Sequence, residues 1–145
     1  MGTQQILLIV LSVIIVGVAI AVGISMFNSQ SYNSNKTAIA ADAQSFATQV
    51  VQYYKTPVSQ GGGGNLLPTA DAAGALVVGN AIGWGDITTT NDNGTYTLAI
   101  TTAGASGVAT ITGVGTAAKA GGEKPNVVTT IALPAGTITA VATDV

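Results

Sequence analysis

The 145-residue chain contains no cysteine and no histidine. Disulfides, thiol nucleophiles, Cys/His zinc sites and covalent haem attachment are excluded by that inventory, and no cofactor or metal is expected. Charge is scarce as well: 7% of residues are charged, 4 basic against 6 acidic, and no arginine is present. A weakly acidic chain without arginine has no basic face, so nucleic acid is not an expected partner. The acids Asp42, Asp71, Asp86, Asp92, Glu123 and Asp144 are scattered, and no serine or threonine has a base beside it in sequence. Catalysis is not expected. Asn91-Asp92-Asn93-Gly94 lacks the spacing and terminal glutamate of a calcium loop and reads as a plain turn. A soluble surface ordinarily carries about 25–35% charged residues. The shortfall leaves three accounts open: coverage by neighbouring subunits, a hydroxyl-rich surface bearing modifications, or a bland Thr-rich β surface.

What the chain has is a long apolar run, Ile6 to Phe27, with no charge and no proline. Roughly 20 apolar residues suffice to cross a bilayer as a helix. The run is too long for the apolar part of a signal peptide, and no Lys or Arg precedes it. Gly17 pairs with Ala21, and Ala19 with Gly23, at the small-x-x-x-small spacing that lets helix backbones approach. A polar stretch, Asn28 to Asn35, marks the exit, with Tyr32 placed as an interfacial aromatic. Helical periodicity then resumes: Ile39, Ala43, Phe46, Val50 and Tyr54 recur at spacings of three and four. No glycine or proline lies between Phe27 and Lys36, so one helix of about 50 residues is expected, apolar all round at first and on one face later.

Pro57 ends the helix. The glycines at 61–64 read as a linker, since no Gly-Lys-Ser/Thr follows them. Leu66 and Leu67 are expected to return against the helix. From Asp71 onward the pattern reads as β. Trp84–Thr90 and Thr95–Thr102 flank an Asn-Gly hairpin signal, a third strand runs over Val108–Gly113, and Val127–Leu133 pairs with Thr137–Thr143. Tyr96, Leu98 and Ile100 share one face, opposite Ile39, Phe46, Val50 and Tyr54 of the helix, whose stripe over residues 39–54 is the only cover expected for the sheet. The expected fold is α+β: a long N-terminal helix on a four- to five-stranded antiparallel sheet. It divides into an apolar helix over 1–30 and a head over 31–145, the head comprising an amphipathic helix 31–55, a Gly-rich loop 56–70 and a sheet 84–145. Asn35-Lys36-Thr37 and Asn93-Gly94-Thr95 are glycosylation sequons, a weak pattern.

An uncharged N-terminal helix, an amphipathic continuation ending in Tyr53-Tyr54, a Gly-rich loop and an antiparallel sheet together resemble a bacterial type IV pilin or pilin-like protein. The similarity is most detailed over Gln4 to Pro57. It implies a structural filament subunit: a peptidase trims the precursor, the helix leaves the inner membrane with the help of pilus assembly machinery, and like helices bundle in an extracellular helical homopolymer. The assembly residues expected on this basis are Met1, Gln5, Ile6, Leu7, Leu8, Val10, Leu11, Ile14, Ile15, Gly17, Val18, Ala21, Val22 and Gly23. Met1 is expected to be the mature N-terminus, its amine meeting Gln5. The family's usual glutamate near the mature N-terminus is here Gln5, which hydrogen-bonds without supplying a charge, and the usual proline within the apolar segment is missing. Gly17 or Gly23 would then be the soft point, if the helix has one. The competing expectations are a type II secretion pseudopilin and a single-pass membrane-anchored binding domain.

Overall fold

The computed structural model describes residues 2–145. Met1 lies outside the described residues, and so does the contact expected between its amine and Gln5. The described residues form helix α1 (Gly2–Lys55), a 3-10 turn (Val58–Gln60), helix α2 (Ala72–Ala81) and strands β1 (Thr88–Thr90), β2 (Gly94–Thr102), β3 (Val108–Gly115), β4 (Pro125–Ala132) and β5 (Thr137–Asp144). The strands make one antiparallel meander in the order β1-β2-β3-β4-β5. The α+β architecture expected from sequence is the one observed.

α1 is one uninterrupted helix of 54 residues, about 80 Å at 1.5 Å per residue. Neither Gly17 nor Gly23 interrupts it. Its burial changes at Tyr32. Beyond that point Ile39, Ala43, Ala47, Val50 and Tyr54 are buried at helical spacing against the sheet. α1 lies across β3 and β4, with β5 at its flank. The inward faces of the strands supply the other half of the core: Tyr96, Leu98 and Ile100 from β2, Ala109 and Ile111 from β3, Val127 and Ile131 from β4. Gly113 stands opposite Tyr96 in register, and a Cβ there would press on the tyrosine ring.

Three expectations are corrected. The segment after Asp71 is not β throughout, because Ala72–Ala81 is helical. Asp71 caps it by accepting a hydrogen bond from the Gly74 N–H at 2.8 Å, and that satisfies one of the orphan donors of the first turn. α2 packs on β2, so α1 is not the sheet's only cover. The first strand begins at Thr88 rather than Trp84. Gly85 holds φ at 75°, and the Asp86 carboxylate accepts from the next N–H, so the chain before Ile87 cannot extend.

The glycine tract is not a slack linker. The N–H groups of Gly63 and Asn65 donate to the carbonyls of Tyr53 and Tyr54 at 2.8 Å each, and that of Gly64 to Thr56 at 2.9 Å. The loop therefore closes the carboxyl end of α1, whose last carbonyls have no partner within the helix. A side chain at Gly62 would overlap the Thr56 carbonyl. Leu67 is buried and bridges to Gly104, whereas Leu66 stays exposed.

Candidate functional site: the bare helix and its polar anchors

The first half of α1 projects from the head without cover. Among the described residues, sixteen large apolar side chains from Ile6 to Phe27 are each 50–74% exposed. Ile6, Leu7, Leu8, Val10, Leu11, Ile14, Ile15, Val18 and Val22, all expected at an assembly surface, lie on this segment with Gln5, Gly17, Ala21 and Gly23. Burying a Val, Leu or Ile side chain contributes about 1.5–3 kcal/mol. At the exposures seen here, sixteen of them amount to roughly 20 kcal/mol against water. Leaving this surface in water is therefore costly. The helix is long and apolar enough to cross a membrane.

The two small-residue pairs fall on different sides of this helix. At 100° per residue, Gly17 and Ala19 point about 200° apart, and so do Ala21 and Gly23. A Cβ added at Gly17 or Gly23 meets nothing within 4 Å. The projecting helix thus carries small residues on two opposite faces.

Polar anchors hold the lower half of α1 to the head at several heights, and sequence reasoning missed most of them. Tyr32 does not face an interface. It is buried at the neck, where its hydroxyl donates to the Asp144 carboxylate, close to the end of the chain. Lys36 and Lys119 pair with the same carboxylate, and both ammonium groups lie near the Tyr32 ring, at 5.6 and 4.9 Å from its centre. Hydrogen bonds from Lys119, Tyr32 and Lys36 hold the Asp144 carboxyl well below its ordinary range. Burial and the bond to Asp144 push the Tyr32 hydroxyl up.

One turn higher, the Asn35 amide donates to the Asn93 carbonyl at 2.8 Å and accepts from the Ala117 N–H at 3.2 Å. Asp42, half-buried, accepts from the amides of Asn91 and Asn93 and from the Tyr96 hydroxyl at 2.9, 2.8 and 2.7 Å. Burial works to raise the Asp42 carboxyl. The bonds from Asn93, Tyr96 and Asn91 outweigh it and leave the group below its ordinary range. Tyr96 moves the other way, raised by burial and by the carboxylate it donates to. At the far end the Tyr54 hydroxyl donates to the Ala105 carbonyl at 2.7 Å.

These bonds revise two motifs. The 91–94 turn is not built on the positive φ angles of an Asn-Gly hairpin. The Asn91 side chain organises it by accepting from the N–H groups of Asn93 and Gly94. Gly94 is needed because a side chain there would overlap the Val114 carbonyl. Both sequon asparagines spend their amides on internal bonds, so neither is a free glycan acceptor in the folded head.

Of the expected helix-to-sheet core, Ile39, Val50, Tyr54, Tyr96, Leu98 and Ile100 are buried, and Phe46 is partly so. Phe46 sits edge-on between Trp84 and Tyr96, at 5.0 Å from each ring centre. Among the described residues, no three His, Cys, Asp or Glu side chains cluster as a metal site would need. No protein-family model, no curated protein and no solved structure matches the chain.

Proposed function

We propose that the chain is the structural subunit of an extracellular, type IV pilus-like helical filament, and that it catalyses no reaction. The observation that carries this is the bare apolar half of α1, rigidly continuous with a helix pinned into the head. A membrane anchor alone would need only the apolar length. The uninterrupted join, the anchors at Tyr32, Asn35, Asp42 and Tyr54, and close-approach faces on two sides of the helix fit a rod that sets the spacing of heads around a bundle.

In this proposal lipid covers Ile6 to Phe27 in the inner membrane before assembly, and copies of the same helix cover it afterwards. Moving from lipid to protein brings no hydrophobic gain in itself, so close packing through Gly17, Ala21, Ala19 and Gly23 drives the exchange. The contacts are head-to-tail and do not close, which yields a helical polymer. Gln5 supplies a hydrogen bond near the N-terminal end in place of the charge pair that pilins use. The pilus assembly machinery and a prepilin peptidase are the further partners.

Shearing the source cells and imaging the supernatant tests the proposal. Long filaments containing this chain are expected. Short periplasmic assemblies would assign it to a secretion pseudopilin, and a chain confined to the membrane would make it an anchored domain. Either result overturns the filament.

A further inference from the structure

At the end of the head remote from the bare helix, a cleft of about 560 Å³ opens between the last turns of α1, the glycine loop and the end of α2. Gln49, Gln52, Tyr53 and Thr56 line one wall, and Gln60 with Gly61 and Gly62 the other. Among the described residues, no charged side chain lines it. Among the described residues, the side-chain amides of Gln49, Gln52 and Gln60 make no hydrogen bond, unlike those of Asn35, Asn91 and Asn93. Burial raises the Tyr53 hydroxyl, which also has no hydrogen-bond partner among the described residues.

The cleft is shaped, not slack. Gly63 presses so closely on the Tyr53 ring that a Cβ there would lie 3.1 Å from it, and the Gly63 N–H is tied to the Tyr53 carbonyl. Gly62 lies against Thr56, too close for a side chain. The glycine tract thus builds a closely packed wall and holds the ring in place.

We propose that this cleft binds a neutral saccharide. Each glutamine amide both donates and accepts, which matches the vicinal hydroxyls of a sugar. The Tyr53 ring offers a flat apolar face for the sugar's C–H surface. The lack of charge excludes anions and cations as preferred ligands, and the polar wall disfavours an apolar one. A peptide strand would need an open sheet edge to pair with, and the cleft lies between helices and a loop. The site stands whether the chain is polymerised or membrane-bound. In a filament its repetition would turn weak single-site binding into avidity.

The test uses full-length protein in dodecylphosphocholine micelles, a detergent without sugar, and saturation-transfer NMR with N-acetyllactosamine, maltotriose and cellotriose, and with 3′-sialyllactose as the charged control. Transfer to at least one neutral sugar is expected, with a Kd near the millimolar range typical of a shallow open site. Gln52→Ala with Gln60→Ala should weaken it about ten-fold or more, the equivalent of one or two ligand hydrogen bonds. Gln44→Ala, on an exposed part of α1 away from the cleft, should leave it unchanged. No transfer to any of the three neutral sugars overturns the site, as does equal binding by the double variant or preference for the sialylated control. A filament that assembles but binds none of them would refute the cleft and leave the structural role standing.

Discussion

Asp42→Ala should cost the head about 3 kcal/mol, almost all of it through one phenol. Asp42 joins α1 to the β1–β2 turn by accepting three hydrogen bonds. Two come from Asn91 and Asn93 near the surface, whose amides can turn to water when the carboxylate is gone. The third comes from Tyr96, which is wholly buried, so its hydroxyl has no such exit. A hydrogen bond to a charged group contributes about 1.5–3 kcal/mol, and the upper end applies when its loss leaves a buried donor unpaired. For a head of this size the loss corresponds to a fall in Tm of about 10 °C. Trp84, the only tryptophan in the chain, reports it directly, since Phe46 stacks between Trp84 and Tyr96. Tyr96→Phe removes the same bond from the other side. In the double variant the two losses should fall short of adding by about 1.5 kcal/mol. Acid supplies a second check. Because the folded carboxyl sits below its ordinary value, its contribution is present at neutral pH and fades as pH drops through that lowered value. The variant should lack that fall. A loss below about 0.5 kcal/mol, or full additivity with Tyr96→Phe, would show that the carboxylate does not hold the phenol.

Val16→Asp, in the middle of the bare helix, should abolish filaments and leave the Trp84 emission of the head unchanged. A carboxylate at the centre of an apolar helix costs about 2.5–3.5 kcal/mol on membrane insertion scales, and abundant filaments from this variant would show that the helix is not in the core. Thr129→Val should stabilise the head by about 1 kcal/mol in chemical denaturation, since Thr129 is fully buried and its hydroxyl has no partner among the described residues. A destabilised variant would reveal a partner for that hydroxyl. The neck should loosen only in acid. Asp144 is held below its ordinary value of 3.8, so its grip on Lys119, Tyr32 and Lys36 persists above that pH and is lost as pH falls through the lowered value. Hydrogen exchange in β5 should rise there in the native chain, and Asp144→Asn should show the faster exchange at neutral pH.

The elements with strong periodicity were legible from residues alone. The stripe from Ile39 to Tyr54 and the alternation of Tyr96, Leu98 and Ile100 fixed the two packing faces, and both are buried. α2 was missed because Ala72–Ala81 holds two valines and two glycines, which together read as β or loop. Its glycines serve packing: side chains at Gly74 and Gly79 would overlap the carbonyls of Thr69 and Asp86. The usable signal was Asp71, a cap residue just before the apolar run. The polar anchors were harder to foresee. Asp42 and Lys36 fall outside the apolar stripe, and only the fold brings Asn91, Asn93 and Asp144 up to them. Tyr32 misled for the same reason, since its partner lies 112 positions away. The bare helix is the reverse case. Composition alone identified Ile6 to Phe27, and the fold adds that nothing among the described residues covers it.

A cryo-EM reconstruction of filaments sheared from the source cells tests that central point most directly. Ile6 to Phe27 should lie at the filament axis, surrounded by the same segment of neighbouring copies, with α1 unbroken through Gly17 and Gly23 and the heads outermost. Filaments whose axis is built from the β-sheets, or the absence of this chain from any filament, would contradict it.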